Sequence, residues 1–185
     1  MIAVGTTLDI GNHTVEILET PRDTGDRYRV RIVAEPGAPG IDGDFPHIHP
    51  ILIETFQCVS GEMTALAGKE LVTLPPGEKI EVAPGRVHGF INTGTDPLVV
   101  DSEVIFPNGY QPADDLLRFG AIYDQLKRQG PVTEKGEPPT LQMAVLTRAY
   151  RHVIAAPGVA GALMPVLAAV GRLRGYRSDF PEYGI

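Results

Sequence analysis

His47 and His49 are separated by one residue, and Glu54 follows five positions after His49. On an extended strand, residues i and i+2 project to one face, so the two imidazoles enter one space, as two ligands of a single ion must. Glu54 lies past Pro50 and supplies a carboxylate oxygen from the next strand or bend. A 2-His-1-carboxylate set with open positions suits non-haem Fe(II) or a similar divalent ion. His88 is a fourth candidate, delivered by the Pro84-Gly85 turn to the start of a β-rich run, with Asn92 four residues further on. Together these residues predict a metal centre of three nitrogens and one oxygen.

Such a centre needs short strands to hold it, and the first 107 residues are patterned for them. β-branched residues recur between Gly, Pro, Asn and Asp punctuation, the signature of short antiparallel strands. The spacing predicts strands at Thr14 to Glu19, Tyr28 to Ala34, Thr55 to Ser60, Met63 to Ala67, Lys69 to Leu74, Lys79 to Val82, His88 to Asn92 and Leu98 to Ile105, enough for a small barrel. From Pro112 the period changes. Leu116, Leu117, Phe119, Ile122, Tyr123 and Leu126 predict a helix that opens on Asp114 and Asp115 and stops at Gly130-Pro131. Two further helices are predicted over Thr140 to Ala156 and Val159 to Gly171, with Leu163, Leu167 and Val170 as a packing face. The domain organisation expected is a β-barrel over 1–110 and a helical extension over 111–185, packed on the barrel or in a subunit interface.

The ligand candidates sit in two longer patterns. His47, His49, Glu54 and Gly61 match Gly-x5-His-x-His-x(3 or 4)-Glu-x6-Gly, except that the leading Gly is replaced at position 41, with Gly40 and Gly43 on either side. Gly77, Gly85, His88 and Asn92 match Gly-x5-Pro-x-Gly-x2-His-x3-Asn, with Ala83 at the Pro position. In these residues the chain resembles the cupin superfamily, of the single-domain, cupin 2 type, over roughly residues 28 to 107. The resemblance implies a mainly β fold, a double-stranded β-helix (jelly roll) with about three C-terminal helices appended. It also implies one divalent transition-metal ion, Fe, Mn, Ni or Zn, held by His47, His49, Glu54 and His88 inside one end of the barrel. The activity implied is that of a small metal-dependent enzyme, resembling the cupin dioxygenases, acting on a small organic substrate. A non-redox isomerase or cyclase, and a non-catalytic small-ligand binder, are the alternatives. Glu54 has a possible second role as a catalytic base if it binds the ion weakly.

Around that site, Phe45, Phe56, Phe90, Met63 and Val104 are candidates for an apolar pocket wall, although core packing accounts for each equally well. Arg86 is positioned in sequence to offer its planar fork to a substrate carboxylate. Asn92 is expected to tie a turn. Cys58 shares strand parity with Glu54 and Phe56 and is expected in the core, while His13 and His152 are expected at the surface.

Composition bounds the rest. The 185 residues carry 23 acidic against 16 basic side chains, a net charge of -7 that gives nucleic acid no basic surface to read. Five Arg against Asp179 and Glu182 make residues 140 to 185 net +3, leaving -10 elsewhere. One cysteine and no basic-then-apolar leader predict a cytoplasmic protein. The apolar run Val159 to Val170 is too short for a transmembrane segment. Exposed jelly-roll edges and apolar helices predict a homodimer or larger assembly.

Overall fold

The computed structural model describes residues 2–11, 13–37, 46–107, 110–134 and 136–183. Its strands are β1 (Thr7–Ile10), β2 (His13–Glu19), β3 (Arg27–Ala34), β4 (His47–Ile48), β5 (Ile53–Ser60), β6 (Met63–Ala67), β7 (Glu70–Leu74), β8 (Lys79–Val82), β9 (Val87–Asn92) and β10 (Leu98–Ile105). A short helix α1 (Pro21–Thr24) joins β2 to β3, and α2 (Tyr110–Gln129), α3 (Thr140–Ala149) and α4 (Gly158–Leu173) follow the strands. The strands form two antiparallel sheets, ordered β1-β2-β3-β10-β5-β8 and β4-β9-β6-β7. The fold is mainly β, a jelly roll followed by three C-terminal helices.

Period-two alternation builds the core between the sheets. On β3, Tyr28, Val30, Ile32 and Ala34 face inward, and on β10 so do Leu98, Val100, Ser102 and Val104. The apolar residues among them share one core cluster with Phe56 of the same sheet and with Met63, Ala65 and Phe90 of the other. Ile32 has no exposed surface, so Ile32→Ala should lower the unfolding free energy by about 2–5 kcal/mol in urea denaturation, with an unchanged m-value.

One residue of β2 departs from expectation. His13 is buried, in phase with Val15 and Ile17 on β2, and is not a surface residue. Cys58 is buried as expected, and His152 is half-exposed with Asp115 as its partner at 2.8 Å.

α2 starts at Tyr110, earlier than expected, so Asp114 and Asp115 fall beyond its first turn. Its Leu116, Leu117 and Ala121 join the barrel core. Polar contacts fix it on β1: buried Asp124 accepts the Asp9 backbone N–H at 2.7 Å, and Lys127 meets the Asp9 carboxylate at 2.7 Å.

The helix predicted over Thr140 to Ala156 ends at Ala149. Beyond it the chain turns at Tyr150, and Ala155 makes an isolated antiparallel bridge to Ile48. Long-range pairing has overridden local helix propensity there. The face expected to pack on α4 is also different. In the single chain α4 buries only Ala168 and Gly171, with Leu167 half-buried. A Cβ on Gly171 would stand 2.7 Å from the Leu141 carbonyl oxygen and from Val145 Cγ2, so the bare backbone is what lets α3 and α4 approach this closely. Leu163 and Val170 are left exposed. Among the described residues, no helix is long and apolar enough to cross a membrane.

Candidate metal centre

Two prolines confine the His-x-His segment. Pro46 and Pro50 flank β4 and cannot donate to a ladder, which limits β4 to two residues. Those two pair with β9 so that His47 stands opposite His88 and Ile48 opposite Val87. The turn before β9 is stitched to the same segment, because the Gly85 N–H donates to the His49 carbonyl at 2.8 Å. Glu54 comes from β5 in the other sheet, so the cluster bridges the two layers. Gly61, at the end of the first pattern, has φ +92°, and a Cβ there would stand 2.9 Å from Leu98 Cα. The turn from β5 to β6 therefore requires glycine.

The four side chains meet in the interior, each 5% exposed or less. One ligand atom from each lies within 4.8 Å of all the others. His47 Nε2 is 2.9 Å from His49 Nε2, and Glu54 Oε2 is 3.2 Å from His49 Nε2 and 3.1 Å from His88 Nε2. With ion–ligand bonds of ~2.0–2.2 Å, ligands at right angles around one ion are about 2.8–3.1 Å apart, which matches this packing.

The hydrogen bonds behind the rings decide what the front atoms offer. His49 Nδ1 lies 2.6 Å from the Val153 carbonyl and His88 Nδ1 lies 2.8 Å from the Arg86 carbonyl. A carbonyl only accepts, so both rings carry a proton on Nδ1, and a neutral ring then presents a lone pair at Nε2. Two such lone pairs face a carboxylate oxygen. That arrangement calls for positive charge, supplied by protons on the rings or by a cation between them, and the donor set therefore fits a divalent metal ion.

Burial pushes the Glu54 carboxyl up, but hydrogen bonding to His49 and His88, together with their charge, outweighs it and holds the group well below the usual carboxylate range. Its other oxygen, Oε1, accepts from Ser102 Oγ at 2.7 Å. Ser102→Ala should leave the fold intact and weaken metal binding about tenfold, measured by competition with a chelator, because that oxygen loses its buried donor.

The structure thus brings together all four predicted ligands. Of the predicted wall, Phe56 lies beside His88 with ring centroids 6.0 Å apart, Phe90 packs against Phe56 at 5.3 Å, and Val104 stands opposite Glu54 across β10 and β5. Met63 is fully buried on β6. Arg86 is exposed; its Nη2 donates to the Ala67 carbonyl at 3.2 Å, and its main chain is what touches His88. Phe45, Gly40 and Gly43 lie outside the described residues. Asn92 ties the turn from β9 to β10, donating to the Ala34 and Asp96 carbonyls and accepting the Gly94 N–H. Sequence reasoning missed Ser102 and Val153. For Ser102 a signal existed: it is the one polar residue in the inward phase of Leu98, Val100 and Val104.

A model of the cupin domain matches residues 30–105. Among solved structures, an uncharacterized conserved protein with a double-stranded β-helix domain from Klebsiella pneumoniae is 28% identical, with 58% of this chain and 90% of that chain covered and a TM-score of 0.46. The cupin domain of an XRE family transcriptional regulator from Enterobacter cloacae is 25% identical, covering 52% and 99%, with a TM-score of 0.46. A predicted oxalate decarboxylase from Thermotoga maritima shares 19% identity over 57% of this chain and 99% of its own, with a TM-score of 0.50. No curated protein matches the sequence.

Proposed function

We propose, from the match of residues 30–105 to the cupin domain, that His47, His49, Glu54 and His88 hold one divalent transition-metal ion at the centre of a small metal-dependent enzyme. The observation that carries this reading is the convergence of Nε2 atoms from rings whose Nδ1 protons are fixed on backbone carbonyls, against a carboxylate held ionised. When bound, the ion supplies Lewis acidity, and redox capacity if it is iron or manganese, to a small organic substrate. The chain's own residues do the rest. Phe56, Phe90 and Val104 keep the surroundings apolar and exclude water, which strengthens every charge interaction inside. Ser102 holds one Glu54 oxygen, so that Oε2 is the atom turned to His49 and His88; only a Glu54 released from the ion would have that oxygen free to accept a proton from substrate.

Within this class we assign oxygenation of a small organic substrate first and non-redox isomerisation or cyclisation second. Elemental analysis of the purified protein, followed by oxygen uptake across a panel of aromatic and enol substrates, tests both parts. The expected result is about one divalent ion per chain and uptake that depends on it. Metal-free protein after soaking in iron, manganese, nickel and zinc salts would overturn the metal centre. A loaded protein that turns over substrate without consuming oxygen would overturn the oxygenase assignment alone.

We also propose that the chain works as a homodimer paired through α4. Val159, Leu163, Val166, Val170 and Leu173 are all exposed in the single chain and recur at spacings of 4, 3, 4 and 3, the seam of a helix that pairs with another helix. Allowing ~150–200 Å² for a fully exposed Val or Leu, the five present roughly 500 Å² per chain, and a two-fold pair would bury about 1,000 Å², the lower bound for a specific interface.

A further inference from the structure

We propose that Val153–Ala155, the segment between α3 and α4, is a positioning element of the metal centre, so that the helical extension sets how tightly the cupin domain holds its ion. The inference rests on the metal-centre reading above and goes beyond it by assigning the extension a part in the site.

His88 finds its Nδ1 acceptor two residues away, on the turn that carries it; His49 finds its own 104 residues away, at Val153. At 2.6 Å this contact is shorter than the 2.8 Å contact of His88 to its own acceptor. Its partner is anchored. Val153 has no exposed surface, Ile154 is buried, and both belong to the barrel core cluster. The backbone N–H groups of Val153 and Ile154 donate to the Tyr150 carbonyl, and the Tyr150 ring packs edge-on to Phe119 of α2. The position of the Val153 carbonyl is thereby fixed by the helices.

The same segment grips the strand that bears the ligands. β4 lies at the edge of its sheet, with only His47 and Ile48 paired to β9. On the opposite edge, the Ile48 N–H donates to the Ala155 carbonyl and the Ala155 N–H donates to the Ile48 carbonyl, both at 2.9 Å. Ile48 is the residue between the two histidines. The His-x-His segment is therefore clamped between β9 and the extension, with its orientation set from one side by His88's strand and from the other by Val153–Ala155. A carbonyl that holds the back of a ligating ring in this way fixes its tautomer and raises its basicity, and its loss typically weakens metal binding 10–100-fold.

The test uses the full chain with zinc as the probe. Ala155→Pro removes the N–H that donates to Ile48, and Ile17→Ala, on β2, serves as a purely structural control. The dissociation constant should rise about 10–100-fold in Ala155→Pro and stay unchanged in Ile17→Ala. Melting of the metal-free proteins should show the reverse pattern, with the larger loss in Ile17→Ala. Independently of any variant, nitrogen NMR of the metal-free wild type at about pH 8, above the ordinary histidine range, should show His49 protonated at Nδ1. Zinc loading should also slow hydrogen exchange at the Ala155 and Ile48 amides. Wild-type zinc affinity in Ala155→Pro, or a His49 ring that carries its proton at Nε2 and none at Nδ1 in the wild type, overturns the inference and leaves the metal centre standing. A wild type that takes no zinc overturns the metal centre, and the inference with it.

Discussion

His49→Ala is expected to raise the zinc dissociation constant by roughly 10²–10³-fold. Structural zinc sites with four ligands bind with about 10–16 kcal/mol, so one ligand accounts for about 2.5–4 kcal/mol. His49 belongs in that range because its Nε2 sits 2.9 Å from His47 and 3.2 Å from Glu54, at the middle of the cluster. Removing it also leaves the Val153 carbonyl without its ring N–H and Glu54 Oε2 with one partner fewer. His152→Ala is the matched control. That ring is half-exposed, pairs with Asp115 and takes no part in the cluster, so its zinc affinity should equal that of the wild type. Chelator competition and elemental analysis on both variants read the difference, and equal affinities would refute the ligand assignment.

The four candidate ligands were legible because the rules that place them are local. His47 and His49 share a face by strand parity, and a Pro-Gly turn delivers His88 to the start of β9. The same parity marks two inward polar residues: His13 alternates in phase with Val15 and Ile17, and Ser102 with Val100 and Val104. What the sequence could not show was long-range. Two-residue β4, between two prolines, carries no periodicity of its own, and four-residue β1 offers little more. The stretch from Ala149 to Ala156 has the composition of a helix end and nothing local to mark it as a strand partner; its conformation comes from Ile48, on the far side of the barrel sequence. The part of the site that depends on Val153 was hidden for the same reason. The α4 face was misjudged differently. Hydrophobicity pointed to the large residues, whereas close helix approach selected Ala168 and Gly171 and left the large residues outside.

Those outward residues set the remaining large effect. In an isologous pair of α4 helices the residue at the centre of the seam meets its own copy near the two-fold axis. Val166 is the middle of the five, and it is 60% exposed in the single chain. Val166→Glu would set two carboxylates against each other inside an apolar seam, and like charges so placed cost several kcal/mol, an expected weakening of about 10²–10³-fold in the dimer constant. Light scattering at micromolar concentration should give twice 19.9 kDa for the wild type and 19.9 kDa for the variant. Because the substituted position touches neither the core nor the ligand cluster, circular dichroism and zinc content should not change. A wild type that scatters as 19.9 kDa would exclude the α4 pair. Binding of that monomer to anionic vesicles, with Arg172 and Arg174 beside the apolar stripe, would assign the face to a lipid surface instead.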